Sequence, residues 1–107
     1  VRFQTTPAFD SDFSRLSGNE KQLFKRSVRL FNDACDRFVE TGGSTSWPSS
    51  LRVKKVQGAP RVLEMTWSFA GPDGRATWEW SHVEVEGEQH TAVLWRRVGN
   101  HSILRDP

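Results

Sequence analysis

The apolar positions of this chain keep a helical rhythm up to about residue 40 and a two-residue rhythm after about residue 50. Leu23, Phe24, Leu30, Phe31, Cys35 and Phe38 recur at spacings of three and four, while Lys21, Lys25, Arg29, Asp33, Asp36 and Arg37 take the opposite side. This predicts a long amphipathic helix through about Glu40, with Asn19 as its expected cap. Ahead of it, VRFQTT is short and β-leaning. Thr6 followed by Pro7 offers an N-cap and a proline at the first helical position, so a short helix is expected to about Leu16. The break LSGNE between the two makes them an antiparallel helical hairpin. TGGSTSWPSS reads as a loop, stopped by Pro48, whose Trp47 is expected to plug the junction of helices and sheet.

Beyond the loop, Leu63, Met65, Trp67 and Phe69 alternate with Glu64, Thr66 and Ser68, and Ala76, Trp78 and Trp80 alternate with Arg75, Thr77 and Glu79. Such alternation belongs to strands packed on one face and wet on the other, which puts Glu64, Thr66, Arg75 and Thr77 on one open polar face. The stretches LRVKKV, RVLEMTWSF, RATWEW, HVEVE and TAVLWRRV, with turn residues in QGAP, AGPDG and EGEQ, predict an antiparallel meander. One strand resists orientation: Arg96 is in phase with Leu94 and Val98, but Arg97 is in phase with Val93 and Trp95. The expected architecture is α+β, an N-terminal helical hairpin packed on one face of a mainly antiparallel four- to five-stranded sheet. At 107 residues it forms a single domain, 1–107, too small for a two-domain enzyme.

Charge changes the picture by its placement. Lys and Arg exceed Asp and Glu by 15 to 13, and eleven of the fifteen are arginine. Residues 51–61 (LRVKKVQGAPR) hold four cations and no acid, and Arg96, Arg97 and Arg105 form a second basic group. Both are candidates for holding phosphate. Acid collects at Glu79, Glu84, Glu86 and Glu88. A single cysteine allows neither an internal disulfide nor a multi-cysteine zinc site, and no apolar run approaches a membrane span, so a cytoplasmic chain without membrane contact is expected.

His82, Glu84 and Glu86 alternate as metal ligands can, but Val83 and Val85 explain that spacing as an ordinary hairpin, and no metal or other cofactor is expected. Cys35 lies on the apolar stripe and reads as an inert core thiol. His101, just past Gly99 and the last strand, stands where an imidazole can overhang the sheet and move a proton.

The order of strand, helical hairpin, LRVKKVQGAPRVLEMTW, GRATWEW and LWRRVGNH resembles the RelE/ParE superfamily of bacterial toxin–antitoxin toxins over essentially the whole chain. The resemblance implies a helical hairpin against one face of the sheet and, in the RelE branch, a basic groove for RNA on the other. It matches Lys54 or Lys55 to the site lysine of the basic strand, Arg75 to the arginine of the Arg-x-x-aromatic strand, and His101 to the basic or imidazole residue after the closing glycine. Glu64 matches the strand glutamate. Arg52, Arg61 and Arg97 are added as RNA-backbone contacts. The chain has no tyrosine, a departure from several RelE-type nucleases, and Leu104 stands at about that position.

The activity so implied is that of a type II toxin: metal-independent, ribosome-associated mRNA cleavage that stops translation. Arg75 then faces the transition-state phosphate, the lysines serve phosphate or base duty, and His101 is the general acid. Replacing Arg75 with Ala is expected to cripple cleavage without unfolding the domain. The expected partners are mRNA on the ribosome and a cognate antitoxin. The alternatives are a ParE-like DNA gyrase inhibitor, and a noncatalytic RNA- or protein-binding module of the same fold.

Overall fold

A computed structural model describes residues 1–69 and 73–107. The order is β1 (Arg2–Thr5), α1 (Pro7–Arg15), α2 (Gly18–Glu40), a 3-10 turn (Ser49–Leu51), β2 (Lys54–Lys55), β3 (Leu63–Ser68), β4 (Gly74–Val85), β5 (Glu88–Asn100) and a 3-10 helix (His101–Arg105). The five strands form one mixed sheet in the order β1-β5-β4-β3-β2. β1 runs parallel to β5, and every other pairing is antiparallel. The α+β class and the mainly antiparallel sheet are as the residue pattern predicts.

Local chemistry accounts for the element boundaries. Thr6 caps α1, its side chain accepting from Phe9 N, and Pro7 occupies the first turn. α2 starts earlier than Asn19: Ser17 is the cap, and its side chain and that of Glu20 satisfy each other's backbone N–H groups in a capping box. β2 is only two residues long, because Ser49–Leu51 is a 3-10 turn and Arg52 sits in the left-handed region at φ 46. RATWEW and HVEVE join into the single twelve-residue β4, which turns into β5 through Glu86 and Gly87, both at positive φ. Of the expected AGPDG turn, residues 70–72 lie outside the described residues.

Both helices pack on one side of the sheet. Phe24, Phe31 and Cys35 of α2 and Phe9 of α1 meet Met65, Trp67, Ala76, Trp78, Val93, Trp95 and Val98 in one cluster. Leu30 departs from the expected stripe and is 41% exposed. Trp47 does plug the junction: its ring stacks on Phe31 at 5.7 Å and Phe38 at 5.2 Å, and meets Trp78 edge-on.

A β-bulge resolves the conflict of phase in β5. Thr77 pairs with Arg97 but Trp78 pairs with Trp95, so Arg96 is the extra residue. Val93, Trp95 and Val98 can therefore all face the helices. Arg96 turns to Glu79 and to the carbonyl of Pro107. Arg97 donates twice to Asp12 of α1, at 2.6 and 3.2 Å, and Asp12 also accepts from Val98 N. The hydrogen bond to Asp12 raises Arg97 further above its ordinary value.

Cys35 is fully buried, and that burial pushes its thiol from an ordinary value of 9.0 up to about 12. The fold favours the neutral thiol, so its contribution is complete below pH 9 and is lost as the unfolded chain ionises above it. Between pH 9 and 10.5 the unfolding free energy will fall with a component that steepens from about 0.7 to about 1.4 kcal/mol per pH unit and that Cys35→Ala removes. Urea melts of both proteins across that range measure it; equal slopes would show that the thiol titrates alike in both states.

Candidate functional site

The face of the sheet away from the helices is polar, as expected, but much of it is dry. Glu64 lies opposite Thr77 and Thr66 opposite Arg75. Glu64, Thr66 and Thr77 are all buried. Over β4 and β5 the cover is the His101–Arg105 3-10 helix, which packs on both strands. Gly99 permits this approach: a Cβ there would stand 3.0 Å from the side chain of Ile103, itself buried. Among the described residues, Thr66 Oγ1, Thr77 Oγ1 and Arg75 Nε on this face, and Trp78 Nε1 in the helix-packed core, are buried without a hydrogen-bond partner.

Beside this covered patch a cleft of about 480 Å³ opens, lined by Lys54, Lys55, Val56, Gln57, Glu64, His101 and Leu104. Its parts come from three stretches of chain. The edge strand β2 brings the lysines, β3 brings Glu64 through the Lys54–Glu64 register, and the closing 3-10 helix brings His101 and Leu104. Asn100 caps that helix by accepting from Ser102 N, which holds His101 at the rim, exposed to solvent.

Glu64 is the hub. Its Oε1 accepts from Arg75 Nη1 at 2.8 Å and lies 3.9 Å from Lys54 Nζ. Among the described residues its Oε2 takes part in no hydrogen bond or ion pair. Arg75 also donates to Asp73 at 3.3 Å and is 11% exposed. Its guanidinium thus supports the carboxylate from beneath rather than lining the cleft. Replacing Arg75 with Ala is therefore expected to cost stability as well as cutting, because it leaves the buried Glu64 carboxylate without its main cation.

The remaining basic residues are placed apart. Arg97 is tied to Asp12 and to the carbonyl of Asp106. Arg61 is exposed beside the turn closed by Val62 N on Ala59 O, outside the cleft lining. Arg52 lies over the ring of Phe69. Four expected residues, Lys54, Lys55, Glu64 and His101, therefore converge, and Arg75 joins them through Glu64.

Residue pattern alone overlooks Asp73, Asp12 and Gln57 as parts of this arrangement. Two of these had a signal. Asp73 precedes Arg75 by two residues, the spacing of neighbours on one strand face, and Asp12 falls between Phe9 and Phe13 on the buried side of α1. Chemically, the cleft offers a carboxylate fixed by two cations, a flexible ammonium 62% exposed at its edge, and an imidazole across from them. Such a set can remove a proton, neutralise an anion and return a proton. No family model, curated protein or solved structure matches the chain.

Proposed function

We propose that this chain is the toxin of a type II toxin–antitoxin system, of the RelE branch of the RelE/ParE superfamily, and that it cuts mRNA on the ribosome. The observation that carries the reading is the convergence of Lys54, Lys55, Glu64 and His101 on one cleft, opposite the helix-packed face. The element order, with two helices on one side of a largely antiparallel sheet, supports the same assignment. The partners are a message in the cytoplasm and a cognate antitoxin.

The reaction needs no water and no metal. Glu64 takes the proton of a ribose 2′-hydroxyl, and the 2′-oxygen attacks the adjacent phosphorus. Lys54, which shares the face of Glu64, neutralises the charge that gathers on the phosphorane. The P–O5′ bond then breaks while the His101 imidazole gives a proton to the departing oxygen. The products are a 2′,3′-cyclic phosphate and a free 5′-hydroxyl. Arg75 is a positioning residue, holding Glu64 in place, and Arg52 and Arg61, outside the cleft, meet the backbone of the message further out.

Translating ribosomes incubated with the purified protein, followed by mapping of message ends, test the reading. Cuts bearing 5′-hydroxyl ends are expected. His101→Gln and Lys54→Met should each slow cutting about 100-fold or more, with little change in melting, since both side chains are exposed. Intact messages together with trapped, broken DNA would establish a gyrase poison instead. Message binding without cutting would establish a noncatalytic module.

A further inference from the structure

We infer that Phe69, held beneath Arg52, is a stacking platform for an unpaired base of the RNA that enters the cleft; this rests on the nuclease reading above. Phe69 is 53% exposed, the most exposed of the large apolar side chains among the described residues. Its ring does not float free. The Arg52 guanidinium carbon lies 4.9 Å from the ring centroid, a cation–π contact between the two groups.

Arg52 reaches that position at a cost. It adopts φ 46, a left-handed conformation unusual for a residue other than glycine. Leu51 and Val53 on either side pack into the core, so the backbone is anchored while the arginine is turned outward. Strain kept in place by packing on both sides, at an exposed aromatic, is the kind of local feature that marks a binding surface.

The pair stands on the sheet edge that also carries the cleft. Lys54 is paired with Glu64 on that edge, and Arg52 precedes Lys54 by two residues, so their Cα atoms are at most about 7 Å apart. An RNA strand with its phosphate at Lys54 can therefore lay a neighbouring base on the Phe69 ring, while the Arg52 cation meets backbone or base edge. Recognition of this kind selects single-stranded RNA and is tolerant of sequence, because every base presents a π face. It also provides an aromatic contact in a chain that contains no tyrosine.

The test uses ribosomes loaded with a message whose cut position carries a 2′-deoxyribose, with 2-aminopurine placed in turn at each neighbouring nucleotide. Wild-type protein should quench the fluorescence at one position. Phe69→Leu should abolish that quench and weaken binding about 5- to 100-fold, while Phe69→Trp should retain both. On cleavable messages, Phe69→Leu should raise KM and leave kcat within about twofold. If wild type cuts messages and Phe69→Leu binds and quenches as wild type does, the platform is refuted and the nuclease reading stands. If wild type neither binds nor cuts, both fall. Thermal melts of Phe69→Leu matching wild type show that lost binding is not lost folding.

Discussion

Arg75→Ala will lower the unfolding free energy by about 3–5 kcal/mol and reduce message cutting at least 100-fold. Two separate consequences are joined in one substitution. Arg75 donates to both Glu64 and Asp73, and Glu64 is almost wholly buried. Without the guanidinium, the nearest remaining cation is Lys54 at 3.9 Å, whose head is mostly in water. A buried carboxylate then stands nearly unpaired, and its orientation toward the cleft is lost.

The double variant Glu64→Gln with Arg75→Met separates the two consequences. Replacing both members of a buried ion pair by groups of similar volume returns most of the stability that removing one of them costs. The double variant should therefore melt close to wild type in urea yet still fail to cut messages. Arg75→Ala protein that melts and cuts like wild type would refute the role assigned to Arg75.

Gly74→Val will also damage the fold, by a different route. A Cβ at this position would lie 2.5 to 2.7 Å from the ring atoms of Trp67. That ring is buried, packs edge-on against Phe24 and donates from Nε1 to the carbonyl of Arg75 at 2.9 Å. Moving the ring aside disturbs these contacts, so overpacking of about 3 kcal/mol is expected. Shortening the obstacle should restore part of the loss: Trp67→Leu combined with Gly74→Val should be more stable than the sum of the two single changes predicts. Strict additivity in urea melts would place the glycine's role elsewhere. Because the indole also braces the strand from which Arg75 rises, Gly74→Ala should lower cutting as well as stability.

The two rhythms of hydrophobic positions were enough to find both helices, the strands and the helix-packed face, because burial of one face imposes its period wherever the backbone is regular. They failed where regularity fails. The bulge at Arg96 adds one residue to β5, which moves every later side chain to the other face and makes Arg96 and Arg97 look contradictory in sequence. Capping was legible in Thr6 and Pro7 but misplaced at Asn19, since LSGNE offers two capping side chains and only the reciprocal partner Glu20 selects Ser17. Phe69 carries the apolar phase of β3 beyond its end and emerges into solvent, a position that periodicity reads as core.

The candidate site divides in the same way. Residue types and alternation place Glu64, Thr66, Arg75 and Thr77 on one side of the sheet, because side chains along a strand point alternately to its two faces. The gathering of Lys54, Lys55 and His101 around Glu64 depends on strand register and on the path of the chain after Gly99, both set by contacts among residues far apart in sequence. That the polar face would be covered rather than wet, that Arg75 would be spent on carboxylates, and that Arg97 would be tied to α1 could not be read from spacing. An ion pair and a covering helix are chosen by three-dimensional proximity, and linear order carries no distance between segments until the sheet has closed.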